Sequence, residues 1–257
     1  MKNMKSMKNG RQRPMMNRFK RIAIVVILAA GCGSAVPAAD PDAAAKQVTA
    51  LADAYVRDYL EAFPYQALGI GAPEVHPDRL GDHSLPALAR WEGREDAILA
   101  ELKKLDSASI AGRPEAVTFT FLENQLERAR DFRTCRMELW NVSPTWTGWQ
   151  AELPVIAGMQ ATGTAVDQGW AVARFSEVPK YLDDEIANLR MGIRLGYTAP
   201  KGNVQSVMAQ VEAMLETPVG DSPFVQMAPK DKKELADFRK QLEELEQTKI
   251  RPAIQRY

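Results

Sequence analysis

Two histidines are the side chains best suited to metal binding or acid–base chemistry, and both lie in one short segment. His76 and His83 are seven residues apart among prolines and glycines, close to the carboxylates Glu74, Asp78 and Asp82. Helical zinc sites place two histidines one turn apart, as in HExxH, and this sequence contains no such motif. The spacing allows a metal or acid–base cluster in this segment, but it favours solvated loop residues.

A second segment that could form a binding site is Trp146-Thr147-Gly148-Trp149, in which two indoles flank a threonine and a glycine. Such a segment can line a groove for a peptide or a sugar. The same side chains can also fill the join between helices, and this core packing is the favoured interpretation because tryptophan is usually buried. Trp146 and Trp149 are nevertheless the candidates for contact with a substrate or partner.

Other catalytic patterns are missing from the sequence. It has neither a glycine-rich phosphate loop after a strand nor a GxSxG nucleophile motif. The acidic run Asp183-Asp184-Glu185 falls on the polar face of a predicted helix, so we expect it to be solvated. No catalytic or metal-binding residue is therefore assigned from the sequence.

The N-terminal segment is typical of an export signal. Residues 1–32 hold eight basic and no acidic side chains, and nine apolar residues stand in a row at 22–30. This apolar run is about half the length that a membrane-spanning helix needs. Residues 1–39 are therefore predicted to be a signal peptide and a short tether.

Within that segment, residues 28–32 (LAAGC) are similar to the lipobox of bacterial lipoproteins, in which the cysteine is lipidated and becomes the mature N-terminus. The match departs from the usual pattern at Ala29, where a large aliphatic residue is common. Two alternatives stay open: cleavage near residues 36–38, which would release a soluble periplasmic product, and an apolar anchor that is never cleaved. Lipidation of Cys32 is the favoured prediction. No acidic residue directly follows Cys32, which by the lipoprotein sorting rules implies the periplasmic side of the outer membrane.

If Cys32 is lipidated, Cys135 is the one thiol left and cannot form an internal disulfide. A nucleophilic thiol would need a histidine base beside it. We expect Cys135 instead to pack as a small, buried or half-buried residue.

Composition and charge exclude several classes of protein. The chain has 257 residues, of which 46% are apolar and 26% charged, as in ordinary globular proteins. Its 33 basic and 33 acidic side chains balance, but removing the eight basic residues of segment 1–32 leaves 25 basic and 33 acidic groups, a net charge of −8. An acidic body lacks the basic footprint of a nucleic-acid-binding protein, so no nucleic-acid partner is expected.

Helical periodicity runs through most of the chain after residue 40. Apolar residues recur three and four apart and predict helices over 41–63, 84–105, 114–129, 178–196, 204–215 and 235–250, with Pro252 kinking or restarting the last one. Residues 65–83 are predicted to be an ordered loop. The tryptophan-rich residues 136–169 form an irregular connector, in which Met137–Trp140 could be a short strand or an extended link. The fold class is therefore all-α, a helical array or bundle.

Two stretches of this helical chain resemble a known family, the bacterial domain of unknown function 885. Residues 61–70 (EAFPYQALGI) are similar to its FP-x-x-A-T-x-x-G signature, with Leu68 departing from the usual threonine. A second stretch resembles its most recognisable helix–turn–helix, in three parts: 174–182 (RFSEVPKYL), 188–192 (NLRMG) and 196–201 (GYTAPK). The resemblance extends over about residues 45–257.

The resemblance implies a helical fold similar to gluzincins, such as angiotensin-converting-enzyme-like peptidases, and a zinc metallopeptidase activity. It also implies a chain about twice this length, whose zinc motif, similar to HExxPGH with a downstream glutamate, lies in the C-terminal half. No such motif occurs here. Residues 40–257 are therefore expected to be the N-terminal part of one helical domain, incomplete and inactive alone.

Taken together, these features predict the exported, lipid-anchored N-terminal portion of a zinc metallopeptidase-like protein. We expect the chain to hold no cofactor itself, zinc being implied for the full-length family, and to contact the membrane through its lipid. A peptide substrate is expected only when the C-terminal half is present. The alternative is a lipid-anchored helical binding or scaffold protein of the bacterial envelope, with residues 146–149 as its contact.

Overall fold

Polar caps and prolines define where the first helices of the chain begin. Asp40 Oδ1 accepts a hydrogen bond from the amide of Asp42 at 3.0 Å, and Pro41 opens the helix without leaving an amide unpaired. Ser84 caps a later helix in the same way through the amide of Ala87. These starts agree with those predicted from the sequence.

The computed structural model describes residues 40–73 and 76–257. This part of the chain contains helices and turns but no strand, which confirms the all-α class. None of its helices is long and apolar enough to cross a bilayer. The predicted signal segment 1–39, including Cys32, and Glu74 lie outside the described residues.

Ten α-helices follow one another in the described chain, with short 3₁₀ segments between several of them. They are α1 (Pro41–Ala62), α2 (Gln66–Ile70), α3 (Leu85–Leu102), α4 (Pro114–Phe132), α5 (Trp149–Met159), α6 (Ala165–Phe175), α7 (Val178–Leu195), α8 (Lys201–Glu216), α9 (Ala236–Leu245) and α10 (Arg251–Arg256). A π-helical turn, Glu246–Ile250, joins α9 to α10 just before Pro252, so the predicted restart of the last helix is confirmed.

The helices bury two apolar clusters. Helices α1, α3 and α4 pack on one another around the first cluster, which includes Val48, Ile98, Leu102, Leu122 and Leu126. Helices α5 to α10 enclose the second and larger cluster, which includes Phe175, Leu182, Phe224, Leu242 and Ile254. Burial of these side chains is the main stabilising contribution to both groups of helices.

The connector between α4 and α5 differs from the prediction. Met137–Leu139 forms a 3₁₀ turn rather than a strand, because Arg136 takes a left-handed conformation (φ 47°) that interrupts extended backbone. The turn packs so closely on α7 that a Cβ on Gly192 would lie 1.8 Å from the Leu139 carbonyl oxygen. Only glycine fits there, and this glycine belongs to the second family-like stretch.

Three further expectations about the chain were wrong. The segment 65–83 is not loop throughout, since it contains α2. Helix α6 was missed, although Thr164 and Asp167 form a capping box at its start. Cys135 is exposed rather than buried. The first two errors concern short helices, whose apolar periodicity is too brief to be recognised.

A buried arginine fixes the loop that precedes α3. The side chain of Arg174, at the end of α6, is completely buried. Its guanidinium donates to the carbonyl oxygens of His76 (3.2 Å) and Arg79 (3.0 Å) and to Oε1 of Gln160 (2.6 Å). Because a buried charge is costly unless it is hydrogen-bonded, this residue requires the loop in one position.

Helix α7 and the residue before it hold the same loop at three more points. Glu177 accepts from the amide of Leu80 at 2.8 Å, and Asn188 donates to the carbonyl oxygen of His83 at 2.9 Å. Lys180 lies 3.1 Å from Asp82. We call residues 76–84 the cavity loop, for the site described below.

We expect Arg174→Met to destabilise the protein by about 3 kcal/mol, since it removes two part-buried hydrogen bonds to carbonyl oxygens and leaves the buried amide oxygen of Gln160 without this donor. Urea unfolding measures this loss, and hydrogen exchange at the Leu80 amide reports whether the cavity loop is released. Arg190→Met, at an exposed position of α7, is the matched control. A loss below about 1 kcal/mol in Arg174→Met would contradict the role given to the buried guanidinium.

Candidate functional site

The cavity loop, α5, α7 and residue 257 enclose a cavity of about 240 Å³. Aromatic rings and carboxyl groups dominate its lining, in particular those of Tyr65, Trp149, Glu152, Tyr181, Glu185 and Tyr257. No lysine or arginine is among the described residues that line it. The cavity is therefore both aromatic and acidic.

His83 extends from the cavity loop into this space. Its ring centroid lies 4.3 Å from that of Tyr181 and 6.2 Å from that of Tyr65. Only 13% of the side chain is exposed, and burial lowers the pKa of His83 to about 4, so the ring is neutral at neutral pH. The expectation that His83 is a solvated loop residue was wrong, because Asn188 draws its backbone against α7.

The two ring nitrogens of His83 have different surroundings. Nδ1 lies 4.0 Å from Oε1 of Glu185, whereas Nε2 is buried and makes no hydrogen bond to any described residue. His76 lies outside this cavity, where its Nε2 is 2.7 Å from Oε2 of Glu61. The two histidines thus do not form one cluster.

Glu185 is the most perturbed carboxyl group of the cavity. Burial raises the pKa of Glu185 to about 7, and the nearby charges of Asp184 and Glu152 act in the same direction. The pKa of Glu152 is also raised by burial, while its interaction with the Tyr65 hydroxyl partly offsets this. Neither carboxyl group has a lysine or arginine partner within the described chain.

The position of Glu185 follows from the spacing of side chains on α7. Tyr181, Glu185 and Asn188 stand at i, i+4 and i+7 and therefore share one helix face. All three carboxylates of 183–185 were expected in solvent. That holds for the exposed Asp183 but not for Asp184 and Glu185, whose side chains are 18% and 24% exposed. For Glu185, the i, i+4 relation to the buried Tyr181 was the signal that could have shown it.

The two candidate tryptophans have separate environments. Trp149 is 4% exposed, belongs to the larger apolar cluster and packs edge-on against Tyr257 with ring centroids 5.0 Å apart. Trp146 is 81% exposed. Thr147, Gly148 and Trp149 line the cavity, whereas Trp146 is not among its lining residues.

A zinc ion, which the family resemblance implies, needs several converging histidine, cysteine or carboxylate ligands. The described residues contain no group of three or more such side chains placed to hold a metal ion. The part of the chain described here therefore does not provide a zinc site.

A wider groove of about 770 Å³ runs beside α1 and α3. Several of its charged side chains form ion pairs with one another, as in Asp58 with Arg94 (2.5 Å) and Asp82 with Lys180 (3.1 Å). The smaller cavity differs because two of its carboxyl groups, those of Glu152 and Glu185, have no lysine or arginine partner among the described residues. We therefore regard the smaller cavity as the candidate site.

We expect Glu185→Gln to become more stable relative to the unmodified protein as pH rises. The pKa of Glu185 is about 7 in the folded state, above the ordinary 4.5, so the folded protein keeps a proton that the unfolded chain releases. Folding is therefore weakened between pH 4.5 and 7, and the substitution removes about 2–3 kcal/mol of that cost. Urea unfolding at pH 4.5, 6 and 7.5 measures the difference.

Asp183→Asn serves as the control for this pH series, since Asp183 is exposed on the same helix. His83 has the opposite pH dependence: its folded pKa of about 4 weakens folding as pH falls below the ordinary 6.5. His83 is present in Glu185→Gln and in the unmodified protein, so its effect on stability cancels in their comparison. A difference between Glu185→Gln and the unmodified protein that stays constant with pH would contradict the burial of Glu185.

Comparison with known proteins places the chain in one family. The comparison with curated proteins found no match. A family described as bacterial protein of unknown function (DUF885) matches residues 64–257, which include the cavity loop, α7 and the lining carboxylates. Its description names no activity. On this match over most of its length, the chain belongs to the DUF885 family of bacterial proteins.

Proposed function

We propose that this chain is the exported, lipid-anchored, peptide-binding portion of a metallopeptidase-like protein, and that it binds peptides without cleaving them by itself. The observation that carries the proposal is the cavity, in which Glu152 and Glu185 lie among aromatic rings and have no lysine or arginine partner in the part of the chain that the structure describes. Aromatic walls with a few polar groups are typical of ligand sites. Such a site selects and orients one end of a peptide.

The metallopeptidase part of the proposal rests on the family resemblance rather than on this cavity. Zinc and the residue that activates water would have to come from residues other than those described, because these offer no donor set for a metal. The role left to this chain is to hold the peptide. Its helices would then form one wall of a substrate cleft.

A second candidate function is a lipid-anchored binding or scaffold protein that uses the surface around Trp146. The 81% exposure of this indole favours it, since large exposed aromatic side chains are common at protein interfaces. The two functions differ in the residues they need. The first depends on the cavity carboxylates, and the second depends on Trp146.

A library of random octapeptides, incubated with the full chain and recovered by co-purification, tests the first function. We expect peptides to be retained intact by mass spectrometry, and Glu152→Gln to lower retention by at least ~10-fold because it removes a cavity charge. Trp146→Ala should leave retention unchanged. Loss of retention in Trp146→Ala alone would favour the scaffold function, and no retention by the unmodified chain would contradict the first proposal.

The proposed location has its own test, with a matched pair of cysteine variants. We expect Cys32→Ala, expressed in a Gram-negative host, to lose its acyl mass and to leave the outer-membrane fraction. Cys135→Ala should keep both, because Cys135 is an exposed thiol far along the chain from the lipobox. Mass spectrometry of the mature N-terminus gives the readout. An unmodified Cys32 or a terminus near residues 36–38 would overturn lipidation.

A further inference from the structure

Two carboxyl groups of the cavity have no positively charged side chain beside them among the described residues. Glu152 on α5 and Glu185 on α7 both line the cavity, and no lysine or arginine is among the described residues that line it. Glu138 also lines the cavity, but it is already neutralised by Arg136 at 2.6 Å. A buried carboxylate without a cationic partner is costly, so a ligand that supplies the positive charge gains that energy on binding.

His83 does not supply this charge. Its ring is neutral at neutral pH, and its Nδ1 lies 4.0 Å from Glu185, beyond hydrogen-bonding distance. Its buried Nε2 has no hydrogen-bond partner among the described residues. A neutral imidazole offers one acceptor nitrogen, so His83 can accept a hydrogen bond from a ligand that carries several N–H groups.

The aromatic walls suit the same kind of ligand. Tyr65, Tyr181, Trp149 and Tyr257 border the cavity, with Trp149 and Tyr257 at right angles to each other. Faces of such rings attract cations, and the attraction of an ammonium within about 6 Å of a ring centre is stronger when the ammonium is removed from water. Carboxylates and ring faces together define a site for a cation with an organic stem.

The volume of the cavity limits the ligands that it can hold. At about 240 Å³ the cavity falls below the roughly 300–1,000 Å³ of sites that enclose whole drug-sized ligands. It is large enough for one amino-acid residue or one lysine side chain. Carbonyl and amide oxygens at the rim can accept hydrogen bonds from the remaining N–H groups of a primary ammonium.

We infer that this cavity binds a primary ammonium group, held by Glu185 and Glu152 and enclosed by the aromatic rings. The inference rests on the proposed peptide-binding function for the source of that group, which is either the amino terminus of a peptide or a lysine side chain. The chemistry of the site is the same for both. No covalent step is involved.

Binding is expected to release protons, because an ammonium favours the ionised form of Glu185. The titratable groups that face Glu185 come from every element around it: His83, Tyr65, Glu138, Glu152, Tyr181, Asp184 and Tyr257. The three tyrosines stay protonated, since burial raises the pKa of each above its ordinary 10, and His83 stays neutral above pH 5. Glu185, with a pKa of about 7, therefore changes charge near neutrality.

Isothermal titration calorimetry of the full chain in detergent tests this inference. The probes are n-butylammonium chloride, tri-alanine, N-acetyl-tri-alanine, and an N-acetylated tripeptide amide with a central lysine. We expect the amine probes to bind and N-acetyl-tri-alanine to fail. Affinity should rise about fivefold between pH 6 and pH 7, with roughly half a proton released at pH 7 in buffers of different ionisation enthalpy.

Variants assign the binding to the cavity. Glu185→Gln should weaken the amine probes at least ~10-fold and abolish proton release, and Glu152→Gln should weaken them while keeping it. Asp183→Asn, exposed on α7, should bind like the unmodified chain. Circular dichroism confirms that each variant is folded. Unchanged affinity in folded Glu185→Gln would overturn the inference.

The probes also separate this inference from the proposed function. Equal binding of tri-alanine and its N-acetyl form would overturn ammonium recognition and leave peptide binding intact. Binding of n-butylammonium without either peptide would support the ammonium site and contradict the peptide function. Failure of every amine probe would overturn the inference. Preference for tri-alanine identifies the amino terminus as the source, and preference for the lysine peptide identifies the side chain.

Discussion

A guanidinium that is wholly removed from water determines how the rest of this structure is arranged. Arg174 has to have its donors satisfied by backbone oxygens, and these come from the loop before α3. A loop rich in proline and glycine has little regular structure of its own. Its conformation therefore comes from side chains that are nearly a hundred residues away in sequence, and the cavity exists because this loop covers α7.

The cavity shows a conflict between stability and binding. Glu152 and Glu185, which have no lysine or arginine partner among the described residues, cost folding energy at neutral pH, as their raised pKa values indicate. His83 adds a cost only as pH falls below its ordinary pKa of 6.5. Packing alone would favour apolar residues at these positions. Proteins commonly accept such a cost where a ligand is bound, since the groups that destabilise the free protein are those that gain most from the ligand. This is why we place the site in the cavity rather than in the larger groove.

Much of the fold could be predicted from the sequence, and the site could not. Long helices such as α1, α3 and α7 can be recognised in the sequence from repeated apolar spacing and polar caps. The cavity depends on Glu185 and His83, which are separated by about a hundred residues and whose types suggest solvent exposure. Local sequence patterns do not indicate that two residues so far apart in the chain will lie close together in the fold. The family-like stretch from Arg174 onward did contain the residues that bring them together, but their partners became apparent only in three dimensions.

The close approach of Gly81 to α1 has a further consequence, for the order in which the protein folds. A Cβ at Gly81 would lie 2.8 Å from the Ala62 carbonyl oxygen, so the cavity loop lies directly against the end of α1, while its hydrogen bonds to Glu177 and Asn188 span 97 and 105 residues. Contacts of such high sequence separation form slowly, whereas α1, α3 and α4 meet through nearer ones. We therefore expect α1, α3 and α4 to pack together early in folding and the cavity to close last. A chain still being synthesised would then hold these three helices packed together before the cavity had formed.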